Sequence, residues 1–227
     1  VTGAQDNDYK ITVDQLEAAR TEKTKAIIIN SPSNPTGMIY TEDELREIGE
    51  WAVRHELLIV SDDIYDHLVY NGNEAPHMAS LSDEIFHHTV IINGVSKTYS
   101  MTGWRIGYAI GNAEIIGGMT SIASQATSNP TSVSQVAAVE ALTGEQETAE
   151  KMRQAFEARL NTIYPKVADL PGFKLKKPQG AFYLFPNIKG AMEMGGYDNV
   201  TTWVNDLLEQ EQVALVTGEG FGSDDSV

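Results

Sequence analysis

Lys97 lies in the run Asn93-Gly94-Val95-Ser96-Lys97-Thr98-Tyr99-Ser100-Met101-Thr102-Gly103-Trp104-Arg105, directly after an apolar segment. A lysine held in a partly desolvated cleft gives up its proton and can attack a carbonyl. Asp62 follows the apolar run Leu57–Val60, and a carboxylate there can hold a protonated heterocyclic nitrogen. Tyr65, three residues on, can put its hydroxyl into the same cleft. Asn34 stands between Pro32 and Pro35, in a stiff loop where its amide can meet a phenolic oxygen. Arg105, eight residues past Lys97, can fork onto a phosphate. Taken singly, each also has an ordinary use. The lysine can be a solvated surface group, the aspartate a cap, the tyrosine core, the asparagine an Asx-turn and the arginine half of an ion pair.

The elements that must position these groups alternate. Thr12 to Gln15 fits a capping box with Ile11 and Leu16 as its hydrophobic staple, so a short helix is expected to about Arg20. Ala26–Asn30 reads as a buried strand, followed by the loop Ser31–Gly37. Thr41 to Glu44 is a second capping box, with Leu45, Ile48, Ala52 and His55 along one face of the helix it opens. Leu57–Val60, Thr89–Ile92 and Ile106–Ile110 read as further strands. Uniformly apolar strands alternating with helices predict an α/β fold with a mostly parallel sheet covered on both faces. Ligands of such sheets bind beyond the carboxyl ends of the strands, where Asn34, Asp62 and Lys97 fall.

After Gly111 the texture changes. Gln135–Leu142 reads as helix, and Ala149, Met152, Phe156, Leu160, Ile163, Val167 and Leu170 mark a long amphipathic one that Pro165 should kink or restart. Phe173–Lys176, Ala181–Phe185 and Val213–Val216 read as strands, and Val200–Glu211 as a helix. Residues 1–150 are therefore expected to form a partial large unit and residues 151–227 a smaller α+β unit, with the long helix between them.

Composition excludes several classes. With 16 Lys+Arg against 32 Asp+Glu the net charge is −16, which repels nucleic acid and anionic membranes. No apolar run approaches the roughly 20 residues of a membrane-spanning helix. The absence of cysteine excludes a disulfide framework and fits a cytoplasmic location. His87-His88 has no second ligand pair at metal spacing and reads as a solvated loop. Gly218-x-Gly220-x-Gly222 precedes no helix pattern and is a poor phosphate loop.

In order and spacing together, Ser33-Asn34-Pro35-Thr36-Gly37, Ser61-Asp62-Asp63-Ile64-Tyr65, Ser96-Lys97 and Met101-Thr102-Gly103-Trp104-Arg105-Ile106-Gly107 closely resemble the fold type I, class I and II aminotransferases. Ser128–Ser132 and Gly180-Ala181-Phe182-Tyr183 add to the resemblance, which runs over essentially the whole chain. Its nearest look is to the bacterial aspartate subgroup, with the aromatic aminotransferases beside it. The resemblance implies pyridoxal 5'-phosphate as cofactor, an amino acid and a 2-oxo acid as substrates, and a homodimer. It implies Lys97 as the Schiff-base lysine and proton shuttle, and Asp62 as the partner of the pyridine nitrogen. Tyr65 and Asn34 would bond the ring's phenolic oxygen, and Arg105 the phosphate, with Ser96 as a candidate hydroxyl donor. Gly94 departs from the pattern, standing where many members carry a phosphate-binding serine. One phosphate hydrogen bond is then expected to be missing or taken over by backbone N–H.

The family's upstream phosphate turn, ring-stacking aromatic and substrate-carboxylate arginine have no counterpart in the sequence. It therefore resembles the middle and late portion of such an enzyme, expected not to transaminate alone. A C–S lyase of the same fold and a non-catalytic aminotransferase-like sensor domain are the rival readings. The intact Met101–Gly107 motif speaks against the sensor.

Overall fold

A computed structural model describes residues 1–227. The two capping boxes form as the sequence implies. At the second, the Glu44 N–H donates to Thr41 Oγ1 at 3.3 Å and the Thr41 N–H donates to Glu44 Oε2 at 2.7 Å. They open α1 (Val13–Ala19) and α2 (Glu42–Arg54), each cap being worth about 1 kcal/mol.

Strands β1 (Ala26–Asn30), β2 (Leu58–Asp62), β3 (Thr89–Gly94) and β4 (Gly107–Ile110) form one sheet in the order β1-β2-β3-β4. The first three are parallel and β4 runs antiparallel to β3. The register pairs Asn30 with Asp62 and Asp62 with Ile92, so the carboxyl ends of β1, β2 and β3 finish level. α2 covers one face through Leu45, Ile48, Trp51 and Ala52, which join Ile27, Ile29 and Ile59 in the main core with Met78 and with Ile85 of α3 (Asp83–His88). Each large apolar side chain fully buried there contributes about 1.5–3 kcal/mol.

Several expectations need correction. The sheet is not covered on both faces: Ile28 in β1 is 74% exposed and Ile110 in β4 is 50% exposed. An apolar run of strand residues does not distinguish a face that packs from one left bare. His87 and His88 end α3 rather than lie in a loop, and His88 Nδ1 meets the Leu57 carbonyl at 3.1 Å. α4 (Ala113–Ala126), which carries Gly117-Gly118, was not anticipated; α5 (Ser132–Thr143) was. The long helix α6 (Glu147–Ala168) neither stops nor restarts at Pro165. Proline removes one helical N–H donor close to the end, and the Asp169 N–H still caps the Pro165 carbonyl at 3.1 Å.

Phe173–Lys176, Ala181–Phe185 and Val213–Val216 are irregular segments, not strands, and Ala181 stands in left-handed backbone. Lys174 and Asn187 make a single bridge, Val69 and Gly180 another, and Val213–Val216 has no ladder partner. Strand character needs a neighbour to accept its hydrogen bonds, and periodicity alone does not supply one. α7 (Lys189–Gly195) and α8 (Val200–Glu211) enclose a small cluster of Ile188, Met192, Val200, Val204 and Val227. Trp203 packs against it, edge-on to Phe173. No helix is long and apolar enough to cross a membrane.

Candidate functional site

The level carboxyl ends of β1, β2 and β3 gather four of the six residues singled out by sequence. Asn30, the last residue of β1, organises the first two loops. Its Nδ2 donates to the Asp62 carbonyl at 2.9 Å, and its Oδ1 accepts from the Asn34 N–H at 2.7 Å. One amide thus fixes the Asn34 loop against the backbone of Asp62.

Asp62 is half-buried, and its Oδ1 accepts from the Ile64 N–H at 3.2 Å. Burial pushes its carboxyl above the ordinary carboxylate range; the Ile64 N–H opposes this and the neighbouring Asp63 charge adds to it. Tyr65 is buried, with its hydroxyl 2.6 Å from that of Tyr183. Burial raises its phenol well above the usual value, as does the Tyr183 hydroxyl, while the Asn34 amide works the other way. Lys97 lies in the turn after β3, half-buried beside Ser96. Its Nζ stands 5.7 Å from the Tyr65 ring centroid and 5.4 Å from that of Phe182.

Arg105 comes in just before β4, whose first residue Gly107 pairs with Gly94 at the end of β3. It is exposed, in left-handed backbone, and its side-chain hydrogen bond stays local, from Nη1 to the Thr102 carbonyl at 3.0 Å. Gly94 has a packing reason to be glycine. A Cβ there would lie 2.8 Å from the Ile106 carbonyl oxygen and 3.1 Å from Gly107 Cα, inside the β3–β4 pair. Its own N–H is already taken by Asn93 Oδ1 at 2.7 Å, so it is not the replacement donor expected from the sequence.

Asn30, Phe182, Tyr183 and the pair Asp63–His77 were given no role from sequence. Asn30 carried a signal, being the polar residue that closes an apolar strand. Tyr183 had none, because its contact with Tyr65 spans 118 positions. The segment that bears it is laced to both loops. The Gln179 and Gly180 N–H groups each donate to the Gly37 carbonyl at 2.9 Å, and Ala181 N–H donates to the Leu68 carbonyl at 2.9 Å. An apolar hollow of about 710 Å³ adjoins the site at Asn34 and Tyr183 and runs on past Phe173, Leu207 and Val216.

One feature sets the chemistry. Lys97, Asp62 and Arg105 take part in none of the molecule's ion pairs, although an amine, a carboxylate and a guanidinium all lie around the strand ends. Lys97 and Asp62 are half-buried, and charges in that setting normally find partners. A small ligand with an aldehyde, a ring nitrogen that takes a proton and a phosphate answers all three, with Tyr65 and Asn34 left for a phenolic oxygen. Pyridoxal phosphate has that set of groups, so the residues present fit it.

The chain matches the family described as "Aminotransferase class I and II" over residues 1–227. It is 61% identical over 224 residues to the asparagine–oxo-acid transaminase of Streptococcus mutans, covering 99% of this chain and 57% of that protein. It is 56% identical over 227 residues to an aspartate aminotransferase of Bacillus subtilis, covering 100% of this chain and 58% of that one. Among solved structures it superposes with TM-score 0.92 and 35% identity on an aspartate aminotransferase from Rhizobium meliloti, covering 100% of this chain and 58% of the other. An aromatic aminotransferase from Pyrococcus horikoshii gives 0.90 at 34% identity, covering 99% and 59%. The chain thus spans well under two thirds of the length of the proteins it matches.

Proposed function

Because the chain belongs to the class I and II aminotransferase family, we propose that the whole protein moves an amino group between an amino acid and a 2-oxo acid with pyridoxal 5'-phosphate. The observation that carries this is the set of three unpaired charges, Lys97, Asp62 and Arg105, around the strand ends. When bound, the cofactor supplies an electron sink for the pair released at the substrate's Cα. Asp62 would hold the ring nitrogen in its protonated form. Tyr65 and Asn34 would hydrogen-bond the phenolic oxygen. Arg105 would bind the phosphate, with Ser96 as a further hydroxyl donor. Lys97 would hold the aldehyde carbon and move a proton at the substrate's Cα.

Aspartate or glutamate is the proposed amino donor, supported by the aspartate aminotransferase relatives. Asparagine is the second reading, favoured by the 61% identity to the asparagine–oxo-acid transaminase. We take the whole protein to be a cytoplasmic homodimer. We also place a division near residue 150, on the separation of the α2–sheet core from the Ile188–Val204 cluster; Leu160 of α6 belongs to a third cluster, with Tyr65, Leu68 and Tyr70.

Borohydride reduction of the cofactor-loaded whole protein, followed by peptide mapping, tests the reading. The pyridoxyl mass is expected on Lys97. A label on any other lysine refutes the assignment.

A further inference from the structure

Behind Asp62, on the opposite side of its strand, lies a polar network that the proposed reaction does not use. Successive strand residues point to opposite faces, so Ser61 and Asp63 share the face that Asp62 leaves. Both are buried, Ser61 at 4% and Asp63 at 6% exposure. The two oxygens of Asp63 are both engaged. Ser61 Oγ donates to Oδ1 at 2.6 Å, and His77 Nδ1 stands 3.0 Å from Oδ2. The Asp63 N–H donates to the Ile92 carbonyl at 2.9 Å, tying the same residue to β3. His77 immediately precedes the short turn Met78–Ser80, whose Met78 is in the main core, so the imidazole is anchored from behind.

A second carboxylate belongs to the network. Asp66 Oδ2 accepts from Asn93 Nδ2 at 2.9 Å, which joins the turn after β2 to the end of β3, four residues before Lys97. Asp62, Asp63 and Asp66 therefore crowd one strand end. The groups that face His77 and these carboxylates are His67, with Nε2 3.9 Å from Asp66, and the phenols of Tyr99 and Tyr108, both raised by burial first and then by the Asp66 charge. No lysine or arginine pairs with Asp63 or Asp66. His77 is the one basic side chain that contacts Asp63.

We propose that His77 is a positioning residue for the cofactor site: its hydrogen-bonded pair with Asp63 fixes the turn that carries Asp62 and cancels the Asp63 charge behind it. Asp62 is then left as the unbalanced carboxylate that faces the cofactor ring. This rests on the reading of Asp62 given under the proposed function. The energetic logic is that of a buried acid with one partner: removing the cation leaves negative charge close behind Asp62, and that charge acts on whatever proton the cofactor site holds. The hydrogen bond to Asp63 holds the imidazole above its ordinary value against the opposing effect of burial, and Asp63 and Asp66 add to the rise through their charges.

The test has two independent parts, both on the whole protein. First, the histidine ring resonances are titrated by NMR without reference to activity. His77 is expected to titrate above roughly 6.5, the ordinary value, and Asp63→Asn is expected to abolish that rise. A wild-type His77 that titrates at or below the ordinary value overturns the proposal, whatever any variant does.

Second, with pyridoxal phosphate bound, the pH midpoint of the cofactor's visible absorption change is compared across variants. His77→Asn keeps a donor in the place of Nδ1 and removes the charge. Its midpoint is expected to rise by about half a pH unit, the order of effect of losing one nearby unit charge screened by protein and water. The double variant with Asp63→Asn removes both charges and is expected to return near the wild-type midpoint. A lower melting temperature with an unmoved midpoint would make His77 a structural contact only and overturns the proposal. A wild-type protein with no cofactor band refutes the reading of Asp62, while the histidine titration still decides the Asp63–His77 pair.

Discussion

Restoring the serine at Gly94 tests whether packing or phosphate binding decides that position. The β3–β4 register places Gly94 opposite Gly107, and a Cβ at Gly94 would stand 2.8 Å from the Ile106 carbonyl oxygen. Both near neighbours are backbone atoms, so no side chain can swing away to make room. Overpacking of this kind costs about 1–3 kcal/mol. Replacing glycine in a strand gains about 0.5–1 kcal/mol by restricting the unfolded chain, which offsets part of that cost. Gly94→Ser is therefore expected to lose about 1–2 kcal/mol, a fall in Tm of roughly 2–8 °C for a chain of this size. The new hydroxyl does not gain a phosphate contact, because the Ile106 carbonyl already occupies the space beside it. Calorimetry gives the Tm, and equilibrium titration gives the Kd for pyridoxal phosphate, which is expected to stay level or weaken. A variant with wild-type Tm and tighter cofactor binding would falsify the packing account.

Asp62→Asn is expected to cut kcat/KM on the order of 10²–10³ while leaving the cofactor-free protein more stable at pH 8. Its carboxyl is raised in the fold, so ionisation costs stability as pH rises through the folded value; an amide escapes that cost, and urea unfolding that shows a loss instead refutes the point. For His77 the folded pKa is also raised, so the stability it lends is complete below roughly 6.5 and lost as pH climbs through the folded value. The stability gap between wild type and His77→Asn should thus narrow from pH 6 to pH 9, as read from denaturant midpoints. Arg153 in α6 donates to the Val69 carbonyl at 2.9 Å and pairs with Glu150 and Glu157. Arg153→Ala is expected to lose about 1–2 kcal/mol in urea unfolding, more than its exposed ion pairs alone supply.

The parts of the fold that local chemistry dictates were legible. Thr12 and Thr41 announced their helices because a capping box closes within four residues. Ala26–Asn30 and Thr89–Ile92 were readable as strands because short apolar runs bounded by polar turns have few other uses, although the second runs on to Gly94. Val213–Val216 looked equally strand-like and is not, because strand formation depends on a neighbour and no neighbour is written in those four residues. α4 carries Ile115, Ile116, Met119 and Ile122 at helical spacing but was missed because Gly117-Gly118 break the run, and none of its residues is buried. The site divides the same way. Asn34, Asp62 and Lys97 were found because they fall at or within a few residues after the ends of apolar strands. His77, Tyr183 and the bridging use of Asn30 depend on contacts made only after the chain folds back, across 14, 118 and 32 positions.

The long-range contacts also explain why a site at the end of a sheet needs residues from the far end of the chain. β1, β2 and β3 bring Asn34, Asp62 and Lys97 to one level, but a strand end leaves the following loop free to swing. Two devices remove that freedom. On the sheet side, Asn30, Asp63 and Asp66 pin each loop to the next strand's backbone or side chain. On the other side, the segment Gln179–Tyr183 crosses both loops, taking the Gly37 and Leu68 carbonyls and setting Tyr183 on Tyr65. The crossing is close: a Cβ on Gly180 would lie 2.7 Å from Pro32 Cγ and 2.8 Å from the Leu68 carbonyl. Glycine at 180 is therefore a requirement of the site's geometry rather than of the local turn. The Asn34 loop and the Tyr65 hydroxyl are thus held from two directions, by Asn30 on one side and by the Gln179–Tyr183 segment on the other. Rigidity of that kind is what lets unpaired charges stay unpaired at the strand ends, ready for a ligand instead of collapsing onto one another.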